Sequence, residues 1–118
     1  MKNDRPYLKH ILDAIHNINR FMKNVTEKEF LENIEKQYAV LRALEIIGEA
    51  TKNLSREAKA DYPNVEWTDI AGMRDKLIHQ YFGVDLGLVW ETVKENLPSL
   101  EKAVSEILTK SDPKKTSS

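Results

Sequence analysis

Apolar side chains recur along most of the chain at three- and four-residue steps, the spacing that gathers them on one side of an α-helix. Leu8, Ile11, Leu12, Ile15, Ile18 and Met22 mark a first such face. Asp4 stands where a helix cap belongs, and Pro6 falls in the first turn, where a missing N–H is harmless. Asn24-Val25 interrupts the pattern. Thr26-Glu27-Lys28-Glu29 then has capping-box spacing and opens a second run. Phe30, Ile34, Tyr38, Leu41, Leu44, Ile47 or Gly48, and Thr51 carry its face to about Leu54. Read as one helix, that run spans roughly seven turns, about 40 Å.

Ser55 is placed to cap a short helix through Ala60, and Asp61-Tyr62-Pro63-Asn64 forms a turn because Pro63 disfavours helical geometry at Tyr62. A third long segment runs from about Trp67 to Tyr81 and ends at Gly83, a suitable left-handed cap. Asp85 caps the last segment, in which Leu86, Val89, Val93, Leu97, Leu100, Val104, Ile107 and Leu108 share a face. Pro98 sits inside it and crowds the carbonyl of Lys94, so a kink or a restart is expected there. No strand-like alternation and no repeat appears. The expected fold is an all-α, antiparallel four- to five-helix bundle over residues 1–110, followed by a disordered C-terminal tail, 111–118. Helices this long carry more apolar positions than a thin bundle covers, Trp67 and Trp90 included, and the surplus points to a dimer as well as to a well-filled core.

Composition narrows the chemistry. Zero cysteines among 118 residues exclude disulfides and thiolate chemistry, and the default compartment is reducing. His10, His16 and His79 are too few and too badly spaced for structural zinc. Eighteen Lys+Arg against 19 Asp+Glu leave no global basic field, so a nucleic-acid contact must come from a local patch. No apolar run approaches the ~18 residues that cross a bilayer, and Met1–Pro6 lack a signal-peptide core. A cytoplasmic protein without a metal or other cofactor is expected.

The densest polar cluster is Gly72-Met73-Arg74-Asp75-Lys76-Leu77-Ile78-His79-Gln80-Tyr81-Phe82-Gly83. At about 100° per residue, Asp75 and His79 stand one turn apart on one side, whereas Arg74 and His79 differ by about 140°. One ligand can meet both only in a groove between faces, at a deformed helix end, or where two copies pool their groups. Arg74 offers a planar, permanent charge to phosphate oxygens, and His79 titrates near neutrality. Asp75 can orient His79. Such a set suits RNA, whose 2′-hydroxyl is a built-in nucleophile; DNA lacks it and is not expected as substrate. The plainer reading is an exposed helix face with one local ion pair, worth little. His10 and His16 read as solvent-facing, and Tyr7, Tyr38 and Tyr62 as packing groups with the hydroxyl at the rim. Gly48, inside a helix, calls for close approach of another helix, and the same opening can bring Glu49 toward the Arg74/His79 groove.

Four stretches together resemble the HepT family of HEPN-domain proteins over roughly residues 5–108. They are Leu44-Glu45-Ile46-Ile47-Gly48-Glu49-Ala50, then Tyr62-Pro63 with Trp67, then the segment from Gly72 through Val84-Asp85, then Val89-Trp90. The Arg-x-x-x-x-His-x-Tyr signature gains its specificity from these neighbours. The resemblance implies a dimeric HEPN-like bundle and a metal-independent endoribonuclease toxin of a toxin–antitoxin pair. It places Arg74 and His79 of two subunits in one cleft on the dimer axis, with Asp75 beside them. It also implies a minimal nucleotidyltransferase as antitoxin, which silences the toxin by transferring AMP to Tyr81. The alternative is a non-catalytic helical partner of such a transferase, with the roles in the pair reversed.

Overall fold

The first apolar stripe forms α1, Arg5–Phe21, and buries Leu8, Ile11, Ala14, Ile15 and Ile18. The computed structural model describes residues 3–79 and 85–111, with side chains except at Arg74, Leu77, Ile78, His79 and Ser111. Pro6 lies in the first turn as expected, but the Asp4 side chain does not cap α1. Its carboxylate instead accepts from the Ser55 backbone N–H at 2.8 Å and from the Ser55 hydroxyl. Ser55 in turn accepts from Ala58 N–H at 3.2 Å and starts α4, Arg56–Ala60. One carboxylate thereby joins the start of α1 to the start of α4, across 51 residues of sequence. A long-range pair of donors outcompetes the local N–H groups.

The expected seven-turn helix is two helices. Thr26 and Glu29 form the capping box that opens α2, Glu27–Glu32. The bond from the Thr26 backbone, then that from its hydroxyl, hold the Glu29 carboxyl below its ordinary value. The box therefore contributes while Glu29 is ionised, and acidification through that lowered value removes it. Asn33 then adopts extended geometry, φ −113° and ψ 99°, and accepts from Lys36 N–H at 3.0 Å to begin α3, Ile34–Lys52. Breaking a helix exposes carbonyls that need donors. Gln37 Nε2 supplies two of them, to Phe30 O at 3.0 Å and Leu31 O at 3.1 Å. Lys36 Nζ closes the end of α1 at Phe21 O, 2.8 Å away.

The extended residue resets the helical register. Ile34 and Tyr38, counted with the core by periodicity, are each 64% exposed. α3 buries Val40, Ala43, Leu44, Ile47, Gly48, Ala50 and Thr51 instead. α3 packs against both α1 and α5, Trp67–His79, and α1 also packs against α7, Leu97–Ser111. Between α5 and α7 lie α6, Leu86–Glu91, and a π-helical turn, Thr92–Asn96. Asp85 caps α6 through Leu88 N–H at 3.1 Å, as its position foretold. The π turn answers Pro98: Leu97 N–H reaches back five residues to Thr92 O, and the widened ladder leaves room before the proline ring.

No strand occurs among the described residues, so the all-α expectation holds. Both tryptophans pack on the core rather than supplying spare apolar surface. Trp90 meets Phe30 with ring centroids 5.9 Å apart, and Trp67 Nε1 donates to Tyr62 O at 3.0 Å. Among the described residues, the exposed large apolar groups are Leu31, Ile34, Tyr38, Ile46 and Leu88. No helix among the described residues is long and apolar enough to cross a membrane.

Candidate active site

Arg74, Asp75 and His79 all belong to α5, the helix packed against α3. Continuous helix over Trp67–His79 keeps the turn-apart relation of Asp75 and His79 that the spacing predicts. The side chains of Arg74 and His79, and all of Tyr81, lie outside the described residues, as do the Gly83 cap and the 112–118 part of the tail.

Asp75 is exposed, and its Oδ2 accepts from Lys52 Nζ at 3.2 Å. Lys52, at the end of α3, is therefore a neighbour of the motif that the motif itself does not contain. Nothing in the sequence marks it. It lies 23 residues away on another helix, and only the packing of α3 on α5 brings the two together. Solvent reaches both side chains, 39% of Lys52 and 52% of Asp75, which keeps the pair weak.

Glu49 stands three residues before Lys52 on the exposed side of α3. Helical geometry sets the two about 60° apart, so Glu49 borders the surface at which Asp75 meets Lys52. Gly48, immediately before it, is buried. On its other flank Glu49 borders a hollow of about 390 Å³ between α1 and α3, where Tyr7, His10 and Arg42 also stand. His10 and His16 are exposed, as expected, and His16 lies 3.2 Å from Glu101. Tyr7 and Tyr62 pack at the core margin, and Tyr62 accepts from Lys110 Nζ at 3.1 Å.

Gly72 adds a signal that spacing did not isolate. Residues 72, 75 and 79 follow one another at helical steps of three and four, so Gly72 shares the Asp75/His79 side of α5. A Cβ built on Gly72 would meet nothing within 4 Å. A glycine inside a helix is about 1 kcal/mol less favourable than alanine, and no neighbour among the described residues requires it.

The family model described as Ribonuclease HepT-like matches residues 11–107. A protein of Caldanaerobacter subterraneus subsp. tengcongensis named "Putative RNase TTE0752" is 47% identical over 110 residues, covering 93% of this chain and 98% of its own. One of Thermococcus cleftensis, named "Probable ribonuclease HepT", is 47% identical over 100 residues, 85% of this chain and 91% of its own. No solved structure matches the chain. The described residues form an all-helical fold, and the family match and these relatives set the chain in the ribonuclease class. The chain belongs to the HepT-like ribonuclease family, and that membership makes it an enzyme of that kind.

Proposed function

We propose that the chain is a metal-independent endoribonuclease toxin, active as a homodimer whose site pools Arg74 and His79 from both protomers. Arg74 binds the scissile phosphate and stabilises charge that develops there. His79 takes the proton from the 2′-hydroxyl and returns one to the leaving 5′-oxygen, Asp75 orients it, and Glu49 supports the rim. The oxygen attacks its own phosphate, so the products are a 2′,3′-cyclic phosphate and a 5′-hydroxyl. A minimal nucleotidyltransferase acts as antitoxin by adding AMP to Tyr81, two residues beyond His79. The adduct brings negative charge and bulk to the place where the RNA phosphate binds.

The observation that carries the reading is family membership together with one helix that holds Arg74, Asp75 and His79. The bare backbone of Gly72 on the same side supports the dimer, because a second body approaching α5 supplies a reason for the glycine that no described neighbour gives.

Two measurements test the proposal. In EDTA, the purified chain is expected to cut an RNA oligonucleotide into cyclic-phosphate and 5′-hydroxyl ends and to leave the all-deoxy oligonucleotide intact. Cleavage of the DNA, or activity that vanishes with the chelator, overturns the chemistry. Gly72→Ala is expected to raise the thermal stability of dilute protein by up to about 1 kcal/mol. The same change should lower both the dimer fraction, read by sedimentation, and the cleavage rate. A stabler variant with unchanged dimerisation and unchanged cleavage removes Gly72 from the cleft.

A further inference from the structure

Away from that motif face, α5 and α6 leave a cavity of about 260 Å³ with Leu44, Ile70, Met73 and Val89 in its lining. A second hollow, of about 490 Å³, lies beside it, and Asp85 and Leu88 line both. Leu88 stands between the two with 46% of its surface exposed, although the remainder of the α6 apolar face is covered. The charges around the pair are one-sided. Glu66, Asp69 and Asp85 line the first hollow; Glu27, Glu91 and Glu95 join Asp85 around the second. Two cations, Lys76 and Lys94, stand among them, and Lys94 lies over the Trp90 ring at 4.7 Å. Among the described residues, the lining of the two hollows thus holds six of the chain's 19 acidic residues and two of its 18 basic ones. A chain near neutrality overall is strongly polarised here.

We infer that this face docks a segment of another protein that carries lysine or arginine on either side of an apolar side chain. The apolar group enters the cavity over Ile70, Met73 and Val89 and covers Leu88; the cations meet the carboxylates on the rims. Charge complementarity selects that occupant over a nucleic acid, whose phosphates the same rim repels. It also selects it over an apolar ligand alone, which leaves the rim without counter-charges. The spacing of an anchor flanked by charges is what an amphipathic helix offers to a groove. The inference goes beyond the nuclease reading and stands on different residues.

A dye-labelled 14-residue helical peptide, with leucines at steps of three and four and lysines elsewhere, tests it by fluorescence anisotropy at 0.15 M salt. Saturable binding is expected, and Leu88→Ser or the double change Glu66→Lys/Asp69→Lys should weaken it by about tenfold or more. A charge-matched double change at exposed positions outside both hollows, Asp13→Lys/Glu106→Lys, should alter it less than about twofold. Circular dichroism confirms that each variant is folded. Absence of saturable binding, an equal loss from the distant pair, or undiminished binding when the peptide leucines become serines each overturns the inference. Because no RNA is cut in these assays, their failure is separable from failure of the nuclease proposal.

Discussion

His79→Ala is expected to lower RNA cleavage by roughly 10²–10⁴-fold, the usual worth of a positioned acid–base group. The proposed reaction has one difficult proton to remove and one to deliver, and His79 is the one imidazole in the 72–83 segment. His79→Gln should fail equally, since an amide keeps polarity and approximate size but cannot exchange a proton. Initial rates on a defined RNA, read beside thermal melts of each variant, separate lost chemistry from lost structure. A folded His79→Gln protein that cuts at the original rate would falsify the assignment and leave the family's activity to other residues.

The largest structural effect should come from Phe30→Ala. Phe30 is fully buried, lies two residues before the α2 terminus, and touches Trp90, which belongs to the distant α6. Truncating a buried phenylalanine loses transfer free energy and leaves a cavity, about 3–5 kcal/mol together. Domains of this size are stable by about 5–15 kcal/mol, so the change removes a large share. At roughly 4 °C per kcal/mol, the melting midpoint should fall by about 12–20 °C. Denaturant unfolding should show a lower midpoint with the same slope. A drop below about 1 kcal/mol would mean that the α2–α6 seam collapses onto the void or carries little of the core.

Much of the architecture was legible because its determinants are local. The Thr26/Glu29 box, the Ser55 cap and the Asp85 cap each depend on residues within three positions, and all three stand where the spacing puts them. The disturbance at Pro98 was equally legible, since a proline has no N–H to donate anywhere. Asn33 was not. An asparagine in mid-run is tolerated by many helices, and what makes this one a break is the set of donors waiting around it, Lys36 and Gln37, which seal the exposed ends of α1 and α2. Periodicity counts Ile34 and Tyr38 with the core for the same reason: a periodic pattern assumes an unbroken register. From sequence Asp4 reads as a local cap, because its true partner lies 51 residues away.

The candidate site divides along the same line. By itself the order of residues determined an all-helical chain, the helix that bears Arg74, Asp75 and His79, and the kinship with ribonucleases. Helical periodicity, capping and short motifs are properties of neighbours along the chain. Only tertiary structure decided that Lys52 meets Asp75, that no described neighbour fills the space beside Gly72, and that Leu88 stands amid an acidic rim. Those facts depend on how helices pack, and packing brings together groups whose separation along the chain carries no signal of their distance in space.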